Sequence, residues 1–226
     1  MDARRAQVLD TLGIERYASR AEAPATAADA AAPGADPRAT MDWEALAAGV
    51  ATCTRCTLST TRTRTVFGVG DRSARWFVVG EAPGADEDRQ GEPFVGRAGQ
   101  LLNSMLRGTG LAREQVFIAN VLKCRPPGNR DPTPEEVRCC MPFLHRQIAL
   151  VNPALILCVG RIAAQNLLST ETPIGKLRGH VHTLKPFGTP VVVTYHPAYL
   201  LRSPGEKRKA WEDLKFAMGV ARGDGA

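Results

Sequence analysis

Gly80–Leu102 reads GEAPGADEDRQGEPFVGRAGQLL, and its two ends decide the fold. Immediately ahead of it, Trp76-Phe77-Val78-Val79 is an apolar run of strand length. The run breaks at Gly80-Glu81-Ala82-Pro83-Gly84, a tight turn with glycine at both ends, where a backbone can approach a ligand closely. Beyond the acidic segment and Pro93-Phe94-Val95-Gly96, the residues Ala98, Leu101, Leu102, Met105 and Leu106 recur at helical spacing. A carboxylate and an aromatic ring are thus carried between a buried strand and a helix. In open α/β sheets, ligands bind at that carboxyl edge of the strands.

Three more strand-length runs follow, at Val116–Ala119, Ala154–Val159 and Val191–Thr194. Helical patterns occupy 97–107, 134–150, 161–168 and 206–219. The 134–150 helix carries a start signal in Thr133, Pro134 and Glu136, and Pro142 predicts a kink or early stop within it. The alternation predicts an α/β fold, with a central, mostly parallel four-stranded sheet covered by helices on both faces. The strands end at Gly80-Glu81, Asn120, Gly160 and Tyr195-His196-Pro197. In a parallel sheet, Glu81, Asn120 and His196 therefore converge on one edge, with Phe94 as a stacking surface.

The chain has 226 residues, enough for one good core with a small appendage. Its net charge of +6 is a mild pointer to a polyanionic partner. No apolar run approaches the roughly 20 residues of a membrane helix, and the N-terminus lacks the apolar core of a secretion signal. A cytoplasmic protein with no membrane partner is expected. Residues 1–20 read as an N-terminal amphipathic helix or tail, in the plain reading a loose tail and in the sharper one a docking peptide for a partner. Residues 21–40 hold ten alanines and three prolines and read as a flexible linker, leaving 41–226 as the compact domain.

Six cysteines in a cytosolic chain point to metal, redox chemistry or burial rather than to disulfides. Cys53-Thr54-Arg55-Cys56 is a C-x2-C pair. With Cys124 and either Cys139 or Cys140 it makes four thiolates, enough for zinc or an iron–sulfur cluster. Cys158 lies in an apolar strand and reads as a small buried hydrophobe.

Three segments, GEAPGADEDRQGEPFVGRAGQLL, NVLKCRPPGNRDPTPEE and YHPAYLL, resemble in order those of the family 4 uracil-DNA glycosylases, the iron–sulfur type. The likeness runs from about Cys53 to Leu201. It implies a three-layer α/β/α uracil-DNA glycosylase-like fold and hydrolysis of the N-glycosidic bond of a flipped-out uracil, the first step of base excision repair. It also implies a structural [4Fe-4S] cluster on Cys53, Cys56, Cys124 and Cys140, the last because it precedes Met141-Pro142-Phe143-Leu144 as the family pattern does. Gly80, Ala82, Phe94 and Asn120 would seat the base. Glu81 would orient water or stabilise the cationic sugar, with Asp86, Glu87 and Asp88 read as alternatives or a solvated face. His196 would hydrogen-bond uracil O2 as negative charge develops there. Leu200 and Leu201 would supply an apolar wedge for the vacated stack. Arg202, Ser203, the Lys207-Arg208-Lys209 run, Arg62 and Arg64 would meet phosphates. The expected partner is uracil-containing DNA, single- or double-stranded, bound by a monomer, with a repair or replication protein on residues 1–40. A sister group forms a covalent adduct through a histidine in an inserted basic loop. The matching CRPPGNRD segment has none, so turnover without crosslinking is expected. The alternative is a non-catalytic iron–sulfur nucleic-acid binding or redox-sensing protein on the same scaffold.

Overall fold

A computed structural model describes residues 36–223. The helix expected within residues 1–20 lies outside the described residues, as does most of the expected linker. The linker's last part does not behave as one. Pro37–Thr40 forms a 3-10 turn capped by Asp36, with Arg38 buried. Arg38 pairs with Asp36, donates to the Cys139 carbonyl at 2.5 Å and lies over the Phe143 ring. The packed domain therefore includes residues 36–40, held by one buried arginine that composition hides.

Helix α1 (Trp43–Ala51) follows, capped by Asp42, whose side chain accepts from the Ala45 amide at 2.8 Å. Strands β1 (Val69–Gly70), β2 (Trp76–Gly80), β3 (Phe117–Asn120), β4 (Leu155–Val159), β5 (Val181–Leu184) and β6 (Thr189–Thr194) form one sheet in the order β1-β3-β2-β4-β6-β5. The four strands read from the sequence are its parallel centre: β2 pairs with β3 and β4, and β4 with β6, all parallel. The expected four-stranded sheet is in fact six-stranded, because antiparallel β1 and β5 close the edges. Neither edge strand carries an apolar run. β1 is a Val-Gly pair, and β5 exposes Val181 and Thr183.

Helices α2 (Ala85–Gln90) and α3 (Arg97–Gly108) join β2 to β3. Helix α4 (Pro134–Val151) joins β3 to β4, and α5 (Arg161–Leu167) and α6 (Ile174–Leu177) lead to β5. Helices α7 (Pro197–Arg202) and α8 (Lys207–Arg222) follow β6. The pleat sends alternate strand residues to opposite layers. Phe77, Val79, Ala119, Ile156, Cys158, Val191 and Val193 pack with Leu144 and Ile148 of α4 and Ala163, Ala164 and Leu167 of α5. Val78, Ile118, Leu157 and Val192 pack with Leu102 and Leu106 of α3 and Leu214 and Ala217 of α8. The result is three layers. The Thr133 hydroxyl and Glu136 carboxylate cap α4 reciprocally, as expected. The stop expected at Pro142 does not occur, and α4 runs on to Val151. An internal proline costs roughly 3 kcal/mol, and burial of Phe143, Leu144 and Ile148 just beyond it outweighs that.

From β2 the chain steps sideways to β3, then returns past β2 to β4. The carboxyl end of β2 therefore borders the point where strand order reverses, which is where an open α/β sheet leaves a crevice.

Candidate active site

The crevice is a cavity of about 450 Å³ lined by Glu81, Ala82, Phe94, Asn120, His196 and Tyr199 among others. The acid, the amide and the imidazole read from three strand ends do meet there. Gly80 pairs with Asn120 across β2 and β3. A side chain at Gly80 would displace its neighbours, since its Cβ would fall 2.3 Å from Asn120 Oδ1 and 2.7 Å from the Phe94 ring. Ala82 lines the wall beside it.

Asn120 is 2% exposed, and its Oδ1 is, among the described residues, the one buried side-chain oxygen or nitrogen with no hydrogen-bond partner. Leaving such an acceptor dry costs about 1–3 kcal/mol. An oxygen of this kind at a cavity wall can accept an incoming N–H.

Phe94 sits at φ 55, a left-handed conformation that a bulky residue adopts only under constraint. The constraint comes from both sides. The Glu87 carboxylate accepts from the amides of Val95 at 3.0 Å, Gly96 at 3.2 Å and Gly84 at 3.1 Å. The Arg113 guanidinium holds the carbonyls of Pro93 at 2.5 Å and Phe94 at 3.4 Å. Asp88 is buried too and accepts from the Thr63 amide at 2.9 Å. Glu87 and Asp88 are therefore loop clamps, not a solvated face, and only Asp86 pairs outward, with Arg89.

His196 caps α7, and its Nδ1 accepts from the Ala198 amide at 3.1 Å. In the neutral ring, Nε2 then carries the hydrogen. Burial, aided by the Arg202 guanidinium and opposed by Glu87, lowers the imidazole pKa to about 4. The ring is a neutral donor at physiological pH. Its centroid lies 5.7 Å from that of Phe94. Gly160, at φ +100, passes close behind it, with any Cβ 3.0 Å from that of His196. The strand end is anchored from below. Asp213 accepts from the Thr194 hydroxyl at 2.7 Å and from Arg178 Nε at 2.7 Å, and Arg178 stacks over Tyr195.

Glu81 stands between this cavity and a second one of about 440 Å³ that also includes Gly160, Arg161 and Tyr195. Burial and the nearby Asp131 charge raise its carboxyl to about 7, with Arg161 opposing. Asp131 lines both cavities and pairs with Arg161 at 3.1 Å. Sequence reading missed both residues. Arg161 directly follows the Gly160 strand end, so the rule that found Glu81 and His196 reaches it as well. Asp131 lies in CRPPGNRD, a segment read only for its lack of histidine.

The residues expected to meet DNA divide. Arg202 is exposed at the rim and Leu201 is half-buried beside it. Leu200 is 1% exposed on the inner face of α7 and cannot serve as a wedge. The segment is a helix, and the apolar-bodied side chain it presents outward is Tyr199. Ser203 follows α7 as its C-cap. In the basic run, Lys209 pairs with Glu206 and Arg208 with Glu212. Arg62 does not join a basic surface, because it donates to Cys124 Sγ at 3.2 Å.

Cys124 and Cys140 are buried in one apolar cluster with half-buried Cys56 against it, and Cys53 and Cys56 lie near Cys124. Cys139 instead turns its thiol to the Arg55 carbonyl at 3.2 Å. Burial pushes the Cys140 thiol up to about 12. Among the described residues no group of three or more His, Cys, Asp or Glu side chains has the closeness a metal ion needs. Likewise, no described helix is long and apolar enough to cross a membrane.

Residues 67–215 match the family model of the uracil DNA glycosylase superfamily. The type-4 uracil-DNA glycosylase of Archaeoglobus fulgidus is 48% identical over 172 residues, 74% of this chain and 86% of that protein. Those of Thermotoga maritima and Pyrobaculum aerophilum are 44% and 40% identical, over 76% and 79% of this chain and 91% and 94% of theirs. A crevice at the strand-order reversal, a buried acceptor without a partner at its wall and relatives of this closeness agree, and the chain belongs to the uracil DNA glycosylase superfamily, among its type-4 members.

Proposed function

We propose that this chain is a uracil-DNA glycosylase that hydrolyses the bond between uracil and deoxyribose in DNA. The partnerless Asn120 Oδ1 carries the reading. Uracil presents N3–H to that oxygen and O4 to the amide Nδ2 of the same side chain. Cytosine presents a lone pair at N3, so it would set two acceptors against each other. The base must leave the stack to reach this depth. Phe94, fixed by Glu87 and Arg113, supplies the stacking face.

As the C1′–N1 bond breaks, its electron pair passes to uracil and spreads to O2, leaving the sugar cationic. His196 Nε2–H donates to O2. A neutral imidazole suits this role, since it stabilises the anion without having to give up its proton. Glu81 orients a water toward C1′ and takes its proton. A carboxyl near 7 suits a base working near neutrality. Arg202 and Tyr199 at the rim face the DNA strand. On this reading the chain acts as a monomer in the cytoplasm on uracil-containing DNA, single- or double-stranded.

Cys53, Cys56, Cys124 and Cys140 would hold a [4Fe-4S] cluster, which supplies cross-linking between segments rather than a catalytic step. The donor set fits. Buried thiols resist ionisation unless a metal draws off their protons. The decisive assay incubates the purified chain with single- and double-stranded uracil-containing oligonucleotides and measures free uracil. Release of uracil but not cytosine is expected, and absence of uracil release refutes the proposal.

A further inference from the structure

A separate groove of about 200 Å³ lies between α3 and α8 and shares no residue with the two cavities at the strand ends. From α3 it takes Leu101, Ser104, Met105 and Gly108. From α8 it takes Lys207, Ala210, Trp211 and Leu214. Both sets fall at i, i+3, i+4 and i+7, so each is one stripe of its helix, and the two stripes face each other. Buried Leu200, Ala210 and Leu214 make the floor. Half-buried Leu101 and Met105 stand on one side, and Trp211, 40% exposed, on the other. The indole comes so near α3 that a Cβ on Gly108 would lie 3.0 Å from it. Apolar surface gathered into an open hollow, rather than scattered singly, marks a contact site.

The rim is cationic. Lys207, Trp211 and Lys215 are spaced by four on α8 and form one row, and both lysines are exposed. Across the groove, Arg107 is exposed and donates to the Ser104 hydroxyl at 3.0 Å. No carboxylate lines the groove, and α3 carries no acidic residue. Of the acids on α8, Asp213 is buried against Arg178 and Glu212 pairs with Arg208. Among the described residues no ion pair engages Lys207, Lys215 or Arg107.

We propose that this groove docks an acidic peptide segment of a partner protein, which seats one bulky apolar side chain against Trp211 and sets its carboxylates on Lys207, Lys215 and Arg107. The hollow is the size of one such side chain. DNA phosphates would meet the same cations, but a base edge needs polar partners, and the groove offers only Ser104 and Lys207. An acidic segment with an apolar anchor complements both the charge of the rim and the character of the floor.

The test titrates the full chain into a fluorescein-labelled peptide with one phenylalanine among aspartates and reads anisotropy. Two control peptides replace the phenylalanine by serine or the aspartates by lysines. The acidic phenylalanine peptide is expected to bind, less tightly as salt rises, and each control about tenfold more weakly or worse. Trp211→Ala should lose about tenfold in affinity for the acidic peptide, with its rate of uracil release unchanged. If that variant does not fold, Ser104→Glu, at an exposed position, adds a carboxylate to the acid-free wall and carries the same expectation. A wild type that does not bind the acidic peptide, a serine control that binds equally, or a folded variant that keeps full affinity overturns the proposal. So does a Trp211→Ala that raises KM for uracil-containing DNA while leaving peptide binding intact, which assigns the groove to DNA. A wild-type dimer that Trp211→Ala makes monomeric in sedimentation assigns it to a second copy and overturns the proposal likewise. A wild type that releases no uracil refutes the functional reading alone, because docking is read without the reaction.

Discussion

Glu81→Gln should make the protein more stable at pH 8 while abolishing its activity. The folded carboxyl is raised from 4.5 to about 7, first by burial and then by Asp131. Between those values the native state keeps a proton that the unfolded chain has released. Stability therefore falls as pH climbs through this window, with the cost fully present above 7 and absent below 4.5. Each tenfold change in proton affinity is about 1.4 kcal/mol, so the whole displacement corresponds to about 3 kcal/mol. Water at the cavity mouth screens part of it, leaving about 1–2 kcal/mol. Among the described residues no group donates a hydrogen bond to this carboxylate, so the amide forfeits none. For a domain of this size the gain is about 2–8 °C in Tm. Thermal unfolding of both proteins at pH 5 and pH 8 reads it directly. The variant should unfold later at pH 8, and most of the difference should vanish at pH 5. A gap equal at both pH values, or a variant less stable at pH 8, would refute the burial account of Glu81.

Uracil release by wild type should rise with pH through about 7 as Glu81 ionises, with no second inflection from His196, which is already neutral above about 4; a rate profile over pH 5–9 checks this. Asn120→Asp should lower kcat/KM for uracil roughly ten- to hundredfold, the equivalent of a lost buried hydrogen bond, and unchanged rate and selectivity would remove Asn120 from the site. Gly80→Ala should raise KM at least tenfold, because its Cβ takes space used by Asn120 and Phe94; steady-state kinetics on the folded variant decide it. Cys53→Ser should lower iron content and visible absorbance, and an intact cluster would reassign that ligand.

The parallel core was legible because each central strand is an apolar run ending in a residue that cannot continue it: Gly80, Asn120, Gly160 or the Tyr195-His196-Pro197 turn. Burial on both faces writes itself into composition, which β1 and β5, lying at the edges, do not share. The convergence of Glu81, Asn120 and His196 followed from parallel direction alone. What could not be read was which side of a short helix faces inward. Leu200 and Tyr199 are neighbours in YHPAYLL, and only the docking of α7 decides that the leucine is core and the tyrosine is rim. The acidic run misled for a related reason. Glu87 and Asp88 spend their charge on backbone amides of loops that double back from Val95 and Thr63, contacts invisible to local pattern.

One physical cause sets the protonation of Glu81 and of His196. Loss of solvent disfavours whichever form is charged, so it raises a carboxyl and lowers an imidazole. Here it carries Glu81 up to about 7 and His196 down to about 4, inverting their ordinary order. Near neutrality the acid can therefore hold a water and accept its proton while the imidazole stays uncharged with its Nε2 hydrogen in place. Neither group needs a dedicated partner, because Asp131 and Arg202 each only reinforce the direction that burial has chosen. Substitutions at those two positions should thus shift the corresponding group modestly, whereas opening the cavity to water should move both groups at once and in opposite senses.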